Sequence, residues 1–392
     1  MEVSAILSYY MQVDEVRHDR TAHPRKGTEF NFFKVEGGYS LTRFRGDMAD
    51  VEIPDTHQGE PVVAIAPYAF AGCDTLRTVK IPHGVTEIGS GAFGGCTALE
   101  KVTLPQTLTR MGDQCFAECE ALTGLVLPDA LEEITVGLCR SCSALRDLRL
   151  PLHQGLTIGW QAFSECGALS NVEIPQGTVV VGEMAFFNCG KLQSVSLPES
   201  LRTIGSNAFS FCRQLTAIAI PEGVRRMGTQ VFFGCSALES VALPASLQDV
   251  EGNLFGACVN LADVTVAPGN PVLEMNGVLL THLPRQAVLS CLCGQDISFI
   301  IVPAGTREIA DHAFTGCKAL RRVTLPEGIL TLGNAAFSDC KALRAINLPG
   351  SLTDIGVDMF DGSPAVVMEA PADTYASSYV RKRQPAMIGM EG

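Results

Sequence analysis

The segment IPHGVTEIGSGAFGGCTALEKVT, which starts at Ile81, recurs as LPQTLTRMGDQCFAECEALTGLV at Leu104 and as LPDALEEITVGLCRSCSALRDLR at Leu127. Further copies start at Leu150, Ile174, Leu197, Ile220 and Leu243, and again at Val302, Leu325 and Leu348. Within each block the step is 23 residues, apart from one of 24 between Leu150 and Ile174. A single coil of this length cannot bury its own apolar side chains, whereas stacked coils share one continuous core. A solenoid is therefore expected, although 392 residues would otherwise suggest two or three domains at about 150 residues each.

Each column of the repeat has a physical task. In Leu99, Val102 and Leu104 the end of the Leu-x-x-Val-x-Leu-Pro segment alternates apolar and polar, as a half-buried strand does. Pro105 then stops the strand, because proline removes a ladder donor. Ile88-Gly89 is read as an inward side chain followed by a turn, and Ala92-Phe93 as the start of a short segment on the convex side. Phe recurs at 70, 93 and 116, at 163 to 255 in steps of 23, and at 314, 337 and 360, with Cys139 as the exception. Cys recurs at 73, 96, 119, 142, 166, 189, 212, 235, 258, 317 and 340, which leaves Cys115, Cys139, Cys291 and Cys293 outside the column. Eleven positions cannot all pair, although neighbouring strands at about 4.8 Å lie within disulfide range. The column is read as a ladder of buried thiols acting as small hydrophobes, which suits a reducing compartment.

The coil Cys-x-x-Leu-x-x-Val-x-Leu-Pro-x-x-Leu-x-x-Ile-Gly-x-x-Ala-Phe resembles the BspA-like leucine-rich repeat family of bacteria and some protists. The entry segment FKVEGGYSLTRFRGDMADVEIPDTHQGEPVVAIAPYAF resembles that family's strand-rich lead-in. The break at 266–301 is similar to its hairpin insertion, with Asn276-Gly277 as a tight turn, and the tail APADTYASSYVRK to its closing helix. The resemblance covers residues from about 33 to 383. It implies a right-handed, horseshoe-like α/β leucine-rich repeat solenoid with 23-residue coils and a β-hairpin insertion. The divisions expected are an extension at 1–32, a cap and first coil at 33–80, repeats at 81–265 and 302–370 around the insertion at 266–301, and a helical cap and tail at 371–392. Members of the family are mostly extracellular or surface binding proteins, some of them adhesins, and its motif carries no catalytic residues.

Composition narrows the function further. With 29 Lys+Arg against 42 Asp+Glu the net charge is −13, which argues against binding a phosphate backbone. The basic residues cluster in the terminal segments, at Arg17, His18, Arg20, His23, Arg25 and Lys26 and again at Arg381, Lys382 and Arg383, where solvated tails are expected. No run is apolar enough for a membrane span. The amino terminus has Glu2 where a leader would be basic, so a cytoplasmic protein is expected, or a surface or secreted one if a leader precedes Met1. Gly89, Gly91 and Gly94 match a dinucleotide motif by letter, but outside a βαβ unit. Cys291, Cys293 and His282 fall short of a zinc set in number and spacing. His83, His153 and His312 occupy variable slots and are read as solvated. No catalytic residue, cofactor or metal is expected.

The outward positions of the strands form two columns on the expected concave face. Ser194, Ser196, Ala217, Ala219, Ser240 and Ala242 make a small, uncharged floor. Arg149 and Glu173 precede it and Asp263 follows, as a charged rim. A low-charge centre inside a charged rim is the pattern of a protein contact patch. The expectation is a monomeric, non-catalytic scaffold that binds a protein or a glycan on this face. A surface adhesin and an assembly protein without a dedicated ligand are the alternatives.

Overall fold

The computed structural model describes residues 28–363 and 366–383; the basic cluster from Arg17 to Lys26 lies outside them. Two compact units divide the chain, one ending at Cys212 and the other beginning at Arg213.

In the first unit, Thr78–Lys80, Lys101–Thr103, Gly124–Val126 and Asp147–Arg149 pair in parallel beside Asp50–Glu52. Val102 is buried between exposed Lys101 and Thr103, so the alternation in the sequence sets which face looks inward. We call this the valine ladder. Its hydrogen bonding is interrupted after Asp147–Arg149 and resumes with Asn171–Glu173 and Ser194–Ser196. The interruption coincides with the 24-residue step, whose extra residue falls in the loop closed by Gly155 at φ 82°.

The Ile-Gly pairs do more than turn the chain. Glu60–Ile65, Glu87–Ile88 and Arg110–Met111 form a second parallel ladder, as do Glu133–Ile134, Thr157–Ile158, Val180–Val181 and Thr203–Ile204. Where glycine follows the inward residue, as at Gly89, Gly112, Gly159, Gly182 and Gly205, it lets this isoleucine ladder close up; Ala66 and Thr135 stand at the equivalent positions after Ile65 and Ile134. A Cβ on Gly112 would lie 2.2 Å from the Ser90 nitrogen, and one on Gly89 would lie 2.4 Å from the Pro67 nitrogen. The antiparallel pair Thr28–Val35 and Gly38–Gly46 starts this ladder by joining Gly38–Gly46 to Glu60–Ile65.

The third side of each coil is a chain of turns. Residues two before and two after the phenylalanine take left-handed backbone conformations: Gln114 (φ 56°) and Glu118 (φ 62°) flank Phe116, and Met184 (φ 54°) and Asn188 (φ 56°) flank Phe186. A right-handed helix cannot run through two such residues. The helical share of the expected α/β coil is thus reduced, among the described residues, to Tyr375–Arg383. The phenylalanine rings stack from Phe44 through Phe70 and Phe93 to Phe116 at centroid spacings of 4.9 to 5.3 Å, and again from Phe163 through Phe186 to Phe209.

The second unit repeats both ladders. Ala217–Ala219, Ser240–Leu243 and Asp263–Val266 form one part of its valine ladder; Phe299–Ile301, Arg322–Thr324, Ala345–Asn347 and Val367–Glu369 form the other. The insertion has three strands. Leu273–Asn276 and Leu279–His282 form an antiparallel pair with Gly277 and Val278 between them, so Asn276 ends its strand opposite Leu279 rather than entering the turn. Ala287–Cys291 runs back along Leu279–His282 and re-enters the isoleucine ladder beside Glu308–Ile309. Cys291 stands in the phenylalanine slot, because its N–H donates to Ala313 O at 2.7 Å as that of Phe93 does to Cys115 O at 2.9 Å. Thr374 and Ser377 cap the final helix reciprocally, each N–H donating to the other's hydroxyl at 3.2 and 3.1 Å. Asp373 lies ahead of that helix, and the basic residues Arg381, Lys382 and Arg383 fall in its last turn.

Candidate functional site

The outward columns differ in character along the valine ladder of the first unit. Near its start they are knitted by charge. Lys80 pairs with Glu52, Thr78 Oγ1 donates to Asp50 at 2.6 Å, and Arg77 beside them pairs with Glu100 at 2.7 Å. Arg149 is held as well: its Nη2 lies 3.0 Å from both oxygens of Asp129. The Leu152 N–H first, and Arg149 after it, keep the Asp129 carboxyl below its ordinary range. Glu173 and Ser196 sit side by side in register, both exposed, and Ser194 Oγ donates to Asn171 Oδ1 at 2.6 Å. The ladder's hydrogen bonding does not join Arg149 to Glu173.

In the second unit, Ala217, Ser240 and Asp263 lie in register in one column, and Ala219, Ala242 and Thr265 in the next. Ala217, Ala219, Ala242 and Asp263 are exposed and Ser240 is half-buried. The same two columns continue in that unit's other ladder segment, where Phe299 is 49% and Ile301 63% exposed. These two large apolar side chains are paired in register with Arg322 and Thr324. Assigning 266–301 wholly to an insertion hid them. The signal was present, since Ile297, Ile300, Val302 and Pro303 repeat the Leu-x-x-Val-x-Leu-Pro spacing.

A second surface had no sequence signature. Over the isoleucine ladder of the first unit lies an open groove of about 1240 Å³, lined by Glu87, Arg110, Glu133, His153 and Gln154 among others. Arg110 is paired with Glu87 at 2.7 Å.

The cysteines are spent mostly on structure. Thirteen cysteines are free and buried, and burial pushes the thiols of Cys189, Cys291 and Cys340 up to about 12. The ladder thiols also donate hydrogen bonds, which treatment as small hydrophobes overlooks: Cys96 to Phe70 O at 3.1 Å, Cys189 to Phe163 O at 3.2 Å and Cys340 to Phe314 O at 3.0 Å. Cys317 departs from the ladder by forming a disulfide with Cys293. His282 is buried, and its Nδ1 accepts the Arg285 N–H at 3.2 Å. His312 is half-buried, edge-on to Phe233 with ring centroids 5.0 Å apart, rather than solvated. Among the described residues no three His, Cys, Asp or Glu side chains converge as a metal set, and no helix is long and apolar enough to cross a membrane.

With this geometry in hand, the chain matches the model for the BspA type leucine rich repeat region, a six-copy unit, over residues 47–155, 156–276 and 289–369. Among solved structures it is similar to a leucine-rich repeat protein from Bacteroides ovatus, at 26% identity and a TM-score of 0.53, over 87% of this chain and 92% of that one. It is also similar to a leucine rich cell surface protein from Faecalibacterium prausnitzii, at 22% identity and a TM-score of 0.54, over 92% of this chain and 98% of that one. No curated protein matches it.

Proposed function

Because the chain belongs to the BspA-type leucine-rich repeat family, we propose that it is a non-catalytic interaction scaffold whose ligand, a protein or a glycan, lies on the outward face of the valine ladder. One observation carries this reading. In the second unit the outward columns pass from small side chains at Ala217, Ala219, Ser240 and Ala242 to Asp263, and its other ladder segment presents Phe299 and Ile301 to solvent. Large apolar side chains beside a small, shallow surface are what binding hot spots are built from. Single exposed apolar residues need no explanation, but two on one three-residue strand form a patch. In the first unit, Ser194, Ser196 and Glu173 offer a polar surface, while Arg149, tied to Asp129, serves as a fixed edge. The absence of catalysis is supported by thiols that are buried and hard to ionise.

A second reading places the same scaffold at the cell surface. It is favoured by the Cys293–Cys317 bond, since disulfides persist in oxidising compartments, and by the surface protein of F. prausnitzii among the similar structures. The cytoplasmic reading is favoured by the thirteen free thiols.

The test is a pull-down from cytosolic and surface fractions of the source cell with the wild type and with Ala219→Glu/Ala242→Glu. A prey retained by the wild type and lost from the variant supports the face, and the fraction it comes from decides between compartments. Equal recovery by both baits would move the site to the groove over the isoleucine ladder.

A further inference from the structure

Cys317 is the ladder cysteine whose sulfur bonds to another sulfur, and its partner is unlike the rest. Cys293 is half-buried, whereas the thirteen free cysteines are all buried. The two Cα atoms are 4.6 Å apart, one on the insertion and one on the following coil. Cys293 opens the irregular stretch that leads from Ala287–Cys291 to Phe299–Ile301. Its other ties lie at its two ends and on the preceding coil. Leu292 N–H donates to Val278 O at 2.9 Å, Gly294 N–H to Leu261 O at 2.9 Å and the Gln295 amide to Ala262 O at 2.8 Å, while Ser298 O accepts from the Arg321 and Arg322 N–H groups at 2.8 and 3.1 Å. A void of about 10 Å³, bordered by Cys291, Cys293, Ile297, Ile300 and Cys317, lies beside the bond.

The repeat supplies a second resting place for the Cys317 sulfur. Elsewhere in the ladder thiols donate to the carbonyl of the preceding phenylalanine slot, 26 residues earlier for Cys96 to Phe70 and Cys340 to Phe314, and 27 for Cys166 to Cys139 across the longer step. At that distance from Cys317 stands Cys291, the residue in the phenylalanine slot. The element thus has two arrangements, one with a covalent tie to Cys293 and one with the ladder's ordinary thiol-to-carbonyl bond. We propose that Cys293–Cys317 is a redox latch that fixes the segment bearing Phe299 and Ile301, and so governs the apolar part of the binding face; this meaning for binding rests on the reading above. Release proceeds by exchange. A dithiol's thiolate attacks the half-buried Cys293 sulfur, the S–S bond breaks, and Cys317 departs as a thiolate that takes up a proton. The dithiol's second thiolate then attacks the reductant sulfur of this mixed disulfide, and Cys293 departs as a thiolate that takes up a proton, giving the cyclic disulfide of the reductant and two protein thiols. Re-closing takes two electrons from the pair, accepted by a small-molecule disulfide.

The test is hydrogen exchange on the full chain, with and without dithiothreitol, for the wild type, Cys293→Ser and a Cys189→Ser control. Reduction is expected to speed exchange over residues 292–301 at least tenfold in the wild type and in the control. Cys293→Ser should exchange fast in either state and no longer respond to the reductant. Native alkylation of reduced wild type should label Cys293 first. Unchanged exchange over 292–301 on reduction, or a response that persists in Cys293→Ser, overturns the latch and leaves the face reading intact. If exchange responds as expected and neither redox form retains a prey, the latch stands and the face reading falls.

Discussion

Cys189 donates its thiol proton to Phe163 O at 3.2 Å, and in the last coil Ser363 Oγ does the same to Phe337 O at 2.8 Å. The slot therefore selects a small side chain that can donate, and apolarity alone does not account for it. Treating the column as small hydrophobes captured its burial but missed the donor, although the serine at its final position was the visible clue. Cys189→Ser should keep stability within about 1 kcal/mol, whereas Cys189→Ala should lose about 1–2 kcal/mol through the missing bond and the space left behind. Urea unfolding of the two variants measures the difference. Thr178 shows the opposite case: it is fully buried and its hydroxyl has no partner. Thr178→Val keeps the shape and removes the unsatisfied group, so a gain of about 1 kcal/mol is expected in the same experiment.

At the scale of one coil, backbone constraints decide what the periodic side chains can build. Gly112 faces the Ser90 nitrogen so closely that a Cβ would sit 2.2 Å from it. Gly112→Ala must push two coils apart and is expected to cost about 3 kcal/mol or more, as strained and overpacked sites do. Ala335 is held at φ 49°, where a side chain is a burden, so Ala335→Gly should gain up to about 1 kcal/mol. Thermal melts of both variants would show shifts of opposite sign. The sequence exposed the glycine as a column but not its cause, because a turn and a close approach both select glycine. It likewise hid the isoleucine ladder, since a two-residue strand has no alternation to read. In the insertion, desolvation first and Arg285 second depress the His282 pKa, and the neutral ring accepts from the Arg285 N–H. A histidine depressed on folding binds a proton more readily when unfolded. Its contribution is present above the unfolded value, near 6.5, and is lost as pH falls through the lower folded value. The melting temperature should therefore fall on acidification from pH 7 to 5, and less steeply in His282→Gln, as melts across that range would show.

Across the whole molecule, the core and the proposed recognition surface occupy alternate residues of the same strands, which explains what was legible in advance. Core columns are fixed by the period, so Leu99, Val102 and Phe116 could be placed inward from the sequence, and all three are buried. Outward columns are free to vary and carry no periodic signal; Phe299 and Ile301 escaped notice because their coil, periodic only in its inward residues, was assigned to the insertion, and the Cys293–Cys317 bond because it joins one periodic position to one aperiodic position. The separation leads to a parity prediction on Ala217–Ala219, where buried Ile218 stands between two exposed alanines. Ala219→Glu places its carboxylate in water and should alter stability by no more than about 0.5 kcal/mol. Ile218→Glu, one residue away, carries the same charge into the core without a partner and should unfold the coils around it, because a buried unpaired charge costs several kcal/mol. Circular dichroism melts of the two variants measure the contrast. Similar losses from both would mean that the outward column is packed against something, and would exclude it as an open binding face.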